Sequence, residues 1–232
     1  MTHIAEYISG FARAFAVTED RTVLVDAGVS GGQAALERRL VRVGVRPERV
    51  SLIVVTHAHP DHIGSLRELK ELTGAPVLCG GAAGTAMRAG TGEETVPRTA
   101  LARFILRFMP AGAAGANMPY PVDITVDREF SLAPYGVAGA ALPTPGHTAG
   151  SVSVVLDSGD AIIGDLLMSF LPGGPRLPIL ASDEDAVIRS VKMLLERGVQ
   201  RFHLAHGGVF GREAVARLVG LYSAQEPDAT SD

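Results

Sequence analysis

The sequence predicts a layered α/β protein, and three observations carry that prediction. Strand-like apolar runs alternate with segments of helical spacing, and the pattern occurs in two similar halves. The 232 residues are 47% hydrophobic and 20% charged, enough apolar material for a large packed core. Histidine and aspartate recur just past the ends of the apolar runs, where α/β proteins place their chemistry.

Residues 11–17 and 22–25 read as two strands joined by the polar turn 18–21, and Asp26-Ala27-Gly28 ends the second. Residues 33–43 carry Leu36, Leu40 and Val43 at helical spacing, with Gly44 as C-cap. Residues 50–55, apolar apart from Ser51, read as a buried strand. A short helix over 64–72 follows, with Leu66 and Leu69 on one side and Gly74 closing it, and then a short strand over 76–79. Residues 80–121 are rich in Gly, Ala and Pro. They read as a helical insertion whose amphipathic part is residues 98–109, with Leu101, Ile105 and Phe108 at helical spacing and Phe104 beside them. That part is either a connection packed on the core or a substrate lid. If it is a lid, deleting residues 98–110 raises KM for acyl substrates more than it lowers stability. Strands resume at 122–126, 137–142, 151–156 and 161–163. A helix over 183–197 has Ser182 as N-cap and Gly198 as C-cap. A last strand at 201–205, a last helix at 211–221 and a disordered polar tail at 224–232 complete a single domain spanning 1–232.

The net charge is −4, with both signs interspersed, which argues against a nucleic-acid partner. Cys79 is the only cysteine, so no intrachain disulfide forms, and a small buried hydrophobe is its expected role. No basic and apolar leader opens the chain, and no apolar run reaches membrane-spanning length. A soluble cytoplasmic protein without a membrane partner is expected. Oligomeric state is not legible.

The chemistry concentrates in Thr56-His57-Ala58-His59-Pro60-Asp61-His62, directly after the buried strand. Three of the seven histidines fall within six residues, and imidazole with carboxylate suits zinc, iron and similar divalent ions. Without a metal, a buried cluster of imidazoles would leave donors and acceptors unpaired. His57 and His59 lie two apart in an extended segment and so point to one side. Three later residues repeat the placement. His147 sits in the turn Pro145-Gly146-His147, Asp165 follows Ile163-Gly164, and His206 follows Leu204-Ala205. A glycine adjoins each and leaves room to aim the side chain at a shared centre. The set of five histidines and two aspartates is enough for two ions.

This ordered set resembles the metallo-β-lactamase superfamily, in its H-x-H-x-D-H motif, the later His, Asp and His, and the early Asp26. The resemblance spans roughly residues 11 to 210. It implies a four-layer αβ/βα sandwich of two mixed β-sheets flanked by helices. It also implies that His57, His59 and His147 hold a first ion, that Asp61, His62 and His206 hold a second, and that Asp165 bridges them. Zinc is the expected metal, with iron or manganese as alternatives. Metal coordination lowers the pKa of water to about 7, so hydroxide is available to attack a carbonyl carbon. Asp61 is the expected catalytic side chain, orienting the nucleophile or passing on its proton. Asp26 is expected to hydrogen-bond a ligand rather than bind metal. His203 is expected to pack or face solvent, His3 to be solvated near a disordered start, and the glycine-rich stretch 80–84 to bind no cofactor.

Departures within the family narrow the substrate. β-Lactamases usually carry cysteine or serine at the bridging position, where this chain has Asp165. Glyoxalase II enzymes, similar at the metal set, add a C-terminal glutathione-binding domain for which the 26 residues after His206 leave no room. Many lactonases carry tyrosine three residues after the bridging aspartate, where this chain has Met168. The nuclease and flavodiiron branches add domains that are also missing. Hydrolysis of an ester, thioester or lactone of a small molecule is the expected reaction. Two apolar segments, with Phe104, Ile105, Leu106, Phe108 and Met109 in one and Leu166, Leu167, Met168, Phe170 and Leu171 in the other, either line the mouth and bind an apolar part of the substrate or belong to the core. The alternatives are a mononuclear iron persulfide dioxygenase using His57, His147 and Asp165, a true β-lactamase, and a non-catalytic binding protein.

Overall fold

The computed structural model describes residues 1–8, 12–98, 103, 119–170 and 173–223. Among these the strands form two six-stranded sheets. The first sheet runs β1 (His3–Ile8), β2 (Ala14–Thr18), β3 (Thr22–Val25), β4 (Val50–Val54), β5 (Val77–Gly80) and β7 (Ile124–Val126). The second runs β14 (Val209–Gly211), β13 (Arg201–His203), β11 (Asp160–Ile162), β10 (Val152–Leu156), β9 (Gly139–Pro143) and β8 (Phe130–Ser131). Both are mixed. The pairs β3–β4, β4–β5, β5–β7 and β11–β13 are parallel, and the remaining neighbours in these sheets are antiparallel. A separate two-stranded ribbon pairs β6 (Val96–Pro97) with β12 (Leu180–Ala181).

Strand alternation divides the apolar residues among three packed layers. Phe15, Val17, Val23, Val25, Leu52 and Val54 face Ala141, Val152, Val154, Leu156 and Ile162 between the sheets. Their neighbours Ala14, Ala16, Leu24, Ile53 and Val77 turn outward onto α1 (Gln33–Arg42), α3 (Leu66–Thr73) and α4 (Gly81–Ala89), meeting Leu36, Leu40, Leu66, Leu69 and Met87. On the far side Leu142, Ala161, Ile163 and Phe202 pack against Val187, Val191 and Leu194 of α5 (Glu184–Glu196) and Val215 and Val219 of α6 (Arg212–Ser223). The order helix, sheet, sheet, helix is the four-layer sandwich expected. Strands buried on both faces read as near-continuous apolar runs, which is why β4 was legible as VSLIV.

Several local expectations change. Residues 3–8 form an edge strand, so His3 is exposed but sits on β1 rather than in a disordered start. The N-cap of α5 is Asp183, whose carboxylate accepts the Ala186 N–H at 2.9 Å. Ser182 instead donates its hydroxyl to the Gly146 carbonyl at 3.0 Å and holds the loop that carries His147. The glycine-rich stretch after β5 is the start of α4, a helix within the expected insertion. The amphipathic part of that insertion lies outside the described residues apart from Arg98 and Arg103, as does the tail at 224–232. Cys79 is buried, and burial pushes its thiol up to about 12. No helix among the described residues is long and apolar enough to cross a membrane.

Candidate metal centre

The seven candidate ligands converge where the two sheets meet at the ends of their strands. Asp26 leaves β3 with φ 65, a left-handed conformation uncommon for residues other than glycine. This turn brings its carboxylate under the histidine loop. Oδ1 accepts the Thr56 N–H at 2.7 Å, and Oδ2 accepts the Thr56 hydroxyl and the His62 Nδ1–H, each at 2.8 Å. The Tyr7 hydroxyl donates to the Asp26 carbonyl. After β4 the chain bends at Thr56, His59 is extended, and Pro60 opens the short helix α2 (Pro60–Ile63), which carries Asp61 and His62.

The second sheet supplies the rest. Gly146 has φ 139 and packs against α5, where a Cβ would overlap Val187. Gly164 has φ 53, and a Cβ there would stand 2.7 Å from the Thr56 hydroxyl. Gly146 lets the His147 loop pack closely on α5, and Gly164 lets the Asp165 loop approach Thr56 at the end of the first sheet. The Val152 N–H donates to the Thr56 carbonyl at 2.8 Å and joins the sheets directly below the site.

His57 Nε2, His59 Nδ1 and His147 Nε2 lie 3.0, 3.1 and 3.2 Å from one another. The far nitrogen of each ring reveals its tautomer. His147 Nδ1 meets the Leu180 carbonyl at 2.8 Å, and His59 Nε2 meets the Glu93 carbonyl at 3.2 Å, so those nitrogens carry the protons. His57 Nδ1 meets the Thr56 hydroxyl at 3.1 Å, and that hydroxyl already spends its proton on Asp26. Three neutral imidazoles therefore turn bare lone pairs toward one point. Protein alone gains nothing from this arrangement, whereas a divalent cation takes all three lone pairs.

Asp61, His62 and His206 gather beside this trio. Each group, the trio being joined by Asp165, offers ligand atoms within 4.8 Å of one another. His206 Nε2 lies 3.1 Å from Asp61 Oδ2. Asp165 stands between the groups: Oδ1 is 3.3 Å from His62 Nε2, and Oδ2 is 3.3 Å from His206, 3.6 Å from His147 and 3.9 Å from His57. His62 Nε2 and Asp165 Oδ1 are buried and have no hydrogen-bond partner. They face each other at 3.3 Å as a charge pair without hydrogen-bond geometry, an arrangement that a cation bound between them would satisfy. The donor set fits divalent ions.

Charge separates the two groups. Burial lowers the His57, His59 and His147 pKa values, His147 to about 4, and nearby histidines push His57 further down. All three stay neutral and ready to ligate. For His62 and His206 burial opposes charging, but carboxylates outweigh it. Asp165 and Asp26 raise His62 well above its ordinary value, and Asp165 and Asp61 raise His206 to about 9. Burial likewise opposes ionisation of Asp61 and Asp165, and the facing histidines outweigh it and hold both carboxylates down. Ions binding there would displace the two histidine protons.

The other candidates part from the site. His203 pairs with Asp160 at 2.8 Å and packs edge-on against Phe15, away from the ligands. Leu166, Leu167 and Met168 are buried core residues and cannot line a mouth. Phe170 is 49% exposed with its ring 5.3 Å from that of His206, and Leu171 lies outside the described residues, as do Phe104, Ile105, Leu106, Phe108 and Met109. Sequence reasoning missed Glu93, which no motif marks. Its carboxylate accepts the N–H groups of Ala58 and Gly150 at 3.0 and 2.7 Å.

Comparison with known proteins gives the family and the fold. Residues 10–206 match the family model described as the metallo-beta-lactamase superfamily. "Probable metallo-hydrolase MJ0888" of Methanocaldococcus jannaschii is 25% identical over 209 residues, 88% of this chain and 91% of that protein. "Probable metallo-hydrolase YqgX" of Bacillus subtilis is 27% identical over 187 residues, 76% of this chain and 74% of that protein. An archaeal metallo-beta-lactamase superfamily protein from Sulfolobus tokodaii superposes with a TM-score of 0.64 at 21% identity, covering 96% of this chain and 84% of its own.

Proposed function

Because the chain belongs to the metallo-beta-lactamase superfamily and is a metal-dependent hydrolase, we propose that it uses two divalent ions to hydrolyse an ester, thioester or lactone of a small molecule. Zinc is the proposed metal. His57, His59 and His147 would hold one ion and Asp61, His62 and His206 the other, with Asp165 available to both. The observation that carries this reading is the convergence of three bare imidazole lone pairs beside two orphaned buried ligand atoms. When bound, such ions acidify water to a pKa of about 7 and polarise a carbonyl oxygen.

The chain's own residues supply the rest. The Asp61 side chain is 24% exposed, the most open of the carboxylates and histidines paired across the site, and it faces His206. It orients the attacking water and accepts its proton. The two ionised carboxylates balance the cationic charge at the centre. Phe170, exposed beside His206, supports a substrate with an apolar part. The aspartate at position 165, in place of the cysteine or serine usual in β-lactamases, supports ester-like substrates over β-lactams. A cytoplasmic location and the absence of nucleic-acid and membrane partners are parts of the same proposal.

Elemental analysis of the purified protein, followed by a screen of esters, thioesters, lactones and β-lactams, tests the reading. Two ions per chain with turnover of an ester-like substrate is the expected result. A single iron with oxygen uptake on a persulfide would replace it with the dioxygenase reading, and turnover confined to β-lactams would overturn the substrate class.

A further inference from the structure

We propose that Glu93 is a positioning residue that sets the affinity of the half-site built from His57, His59 and His147. The inference rests on reading those histidines as metal ligands. They come from two loops on different sheets, and Glu93 ties the loops together. Its Oε2 accepts the N–H of Ala58, the residue between His57 and His59. Its Oε1 accepts the N–H of Gly150, three residues after His147. Its own carbonyl accepts the His59 Nε2–H, which leaves Nδ1 bare and aimed at the trio. One residue therefore fixes both loops and one ring tautomer across sequence separations of 35 and 57.

The approach depends on glycine. A Cβ at position 150 would stand 2.7 Å from Glu93 Oε1 and overlap the backbone of Ala83. A carboxylate whose two oxygens are both taken by main-chain N–H groups acts as a two-ended strut. The other half-site has a support of its own, since Asp26 Oδ2 accepts the His62 Nδ1–H at 2.8 Å. Glu93 braces the first half-site directly, whereas Asp26 reaches it only through Thr56. Residues that orient ligands in this way typically control metal affinity by 10–100-fold.

The test is a zinc titration of chelator-stripped protein, followed by calorimetry and by counting bound zinc. Wild-type protein is expected to show two binding steps. Glu93→Ala should weaken one of them by about 10–100-fold and leave the other within about twofold. Glu93→Gln keeps one acceptor but turns an amide N–H toward a main-chain N–H, and should weaken the same step by about tenfold. It carries the test if the alanine variant does not fold. The effect should vanish in a His147→Ala background and persist in a His206→Ala background. Equal weakening of both steps, no change in either, or an undiminished effect in the His147→Ala background overturns the proposal. If wild-type protein binds no zinc, the metal-centre reading fails as well. If wild type binds two and Glu93→Gln matches it, only the role of Glu93 fails.

Discussion

Asp26 Oδ2 accepts the His62 Nδ1–H at 2.8 Å, and this bond aims His62 Nε2 at Asp165. The same carboxylate holds the Thr56 N–H and hydroxyl. One buried side chain thus supports the histidine loop and one ligand ring. Asp26→Asn keeps the size and the tolerance for positive φ but directs an amide N–H at donors. It should cost about 2–4 kcal/mol of stability and weaken metal binding about 10–100-fold, measured by thermal melting and zinc titration. Unchanged melting and affinity would refute the support role.

Removing metal should lower the melting temperature, because the three lone pairs at 3.0–3.2 Å are then uncompensated. At a free ion concentration of 100 times Kd the stabilisation is about 2.7 kcal/mol. His59→Ala should lower the stability of the loaded protein and leave that of the stripped protein nearly unchanged. A equal loss in both forms would show that the ring matters for packing rather than for the ion.

Asp61→Asn should reduce kcat by about 10²–10⁴ while the fold survives, since the side chain is partly exposed and lies outside the apolar clusters. Circular dichroism with steady-state kinetics checks this. Retained turnover would remove Asp61 from the mechanism.

Phe170 and Met168 should separate cleanly. Phe170→Ala is expected to raise KM for substrates with an apolar group and leave stability unchanged, because the ring is exposed beside His206. Met168→Ala, a buried site, should cost about 2–5 kcal/mol and leave KM alone. The reverse pattern would return the mouth to the residues nearer Asp165.

Asp160 gives a pH dependence remote from the ligands. Burial opposes its ionisation, but hydrogen bonds from Arg201, His203 and Ser158 outweigh it and hold the carboxyl down to about 2. A depressed folded-state value adds stability above the ordinary carboxylate range, and that contribution is lost as pH falls from about 4 through about 2. It is worth about 2 kcal/mol at neutral pH. Asp160→Asn should therefore be less stable than wild type at pH 7, and the gap should close toward pH 2 in denaturant titrations. A gap independent of pH would mean the network adds no charge-dependent stability.

The sequence by itself determined the layers and the candidate ligands, which the fold brings together. A strand such as β4, buried on both faces, shows as an apolar run broken only by Ser51, and the candidate ligands show as a dense His and Asp cluster followed by three later His and Asp residues beside glycines. The edge strands β1, β8 and β14 escaped because strands exposed along one side carry weak alternation. Only the tertiary structure decided which apolar residues after Asp165 are core and which face the mouth, since periodicity records burial but not what covers a side chain. It also decided the tautomer of each imidazole and the role of Glu93. The Glu93 carboxylate bonds span 35 and 57 residues, and the bonds that set the His59 and His147 tautomers span 34 and 33, so they form only once distant loops pack together.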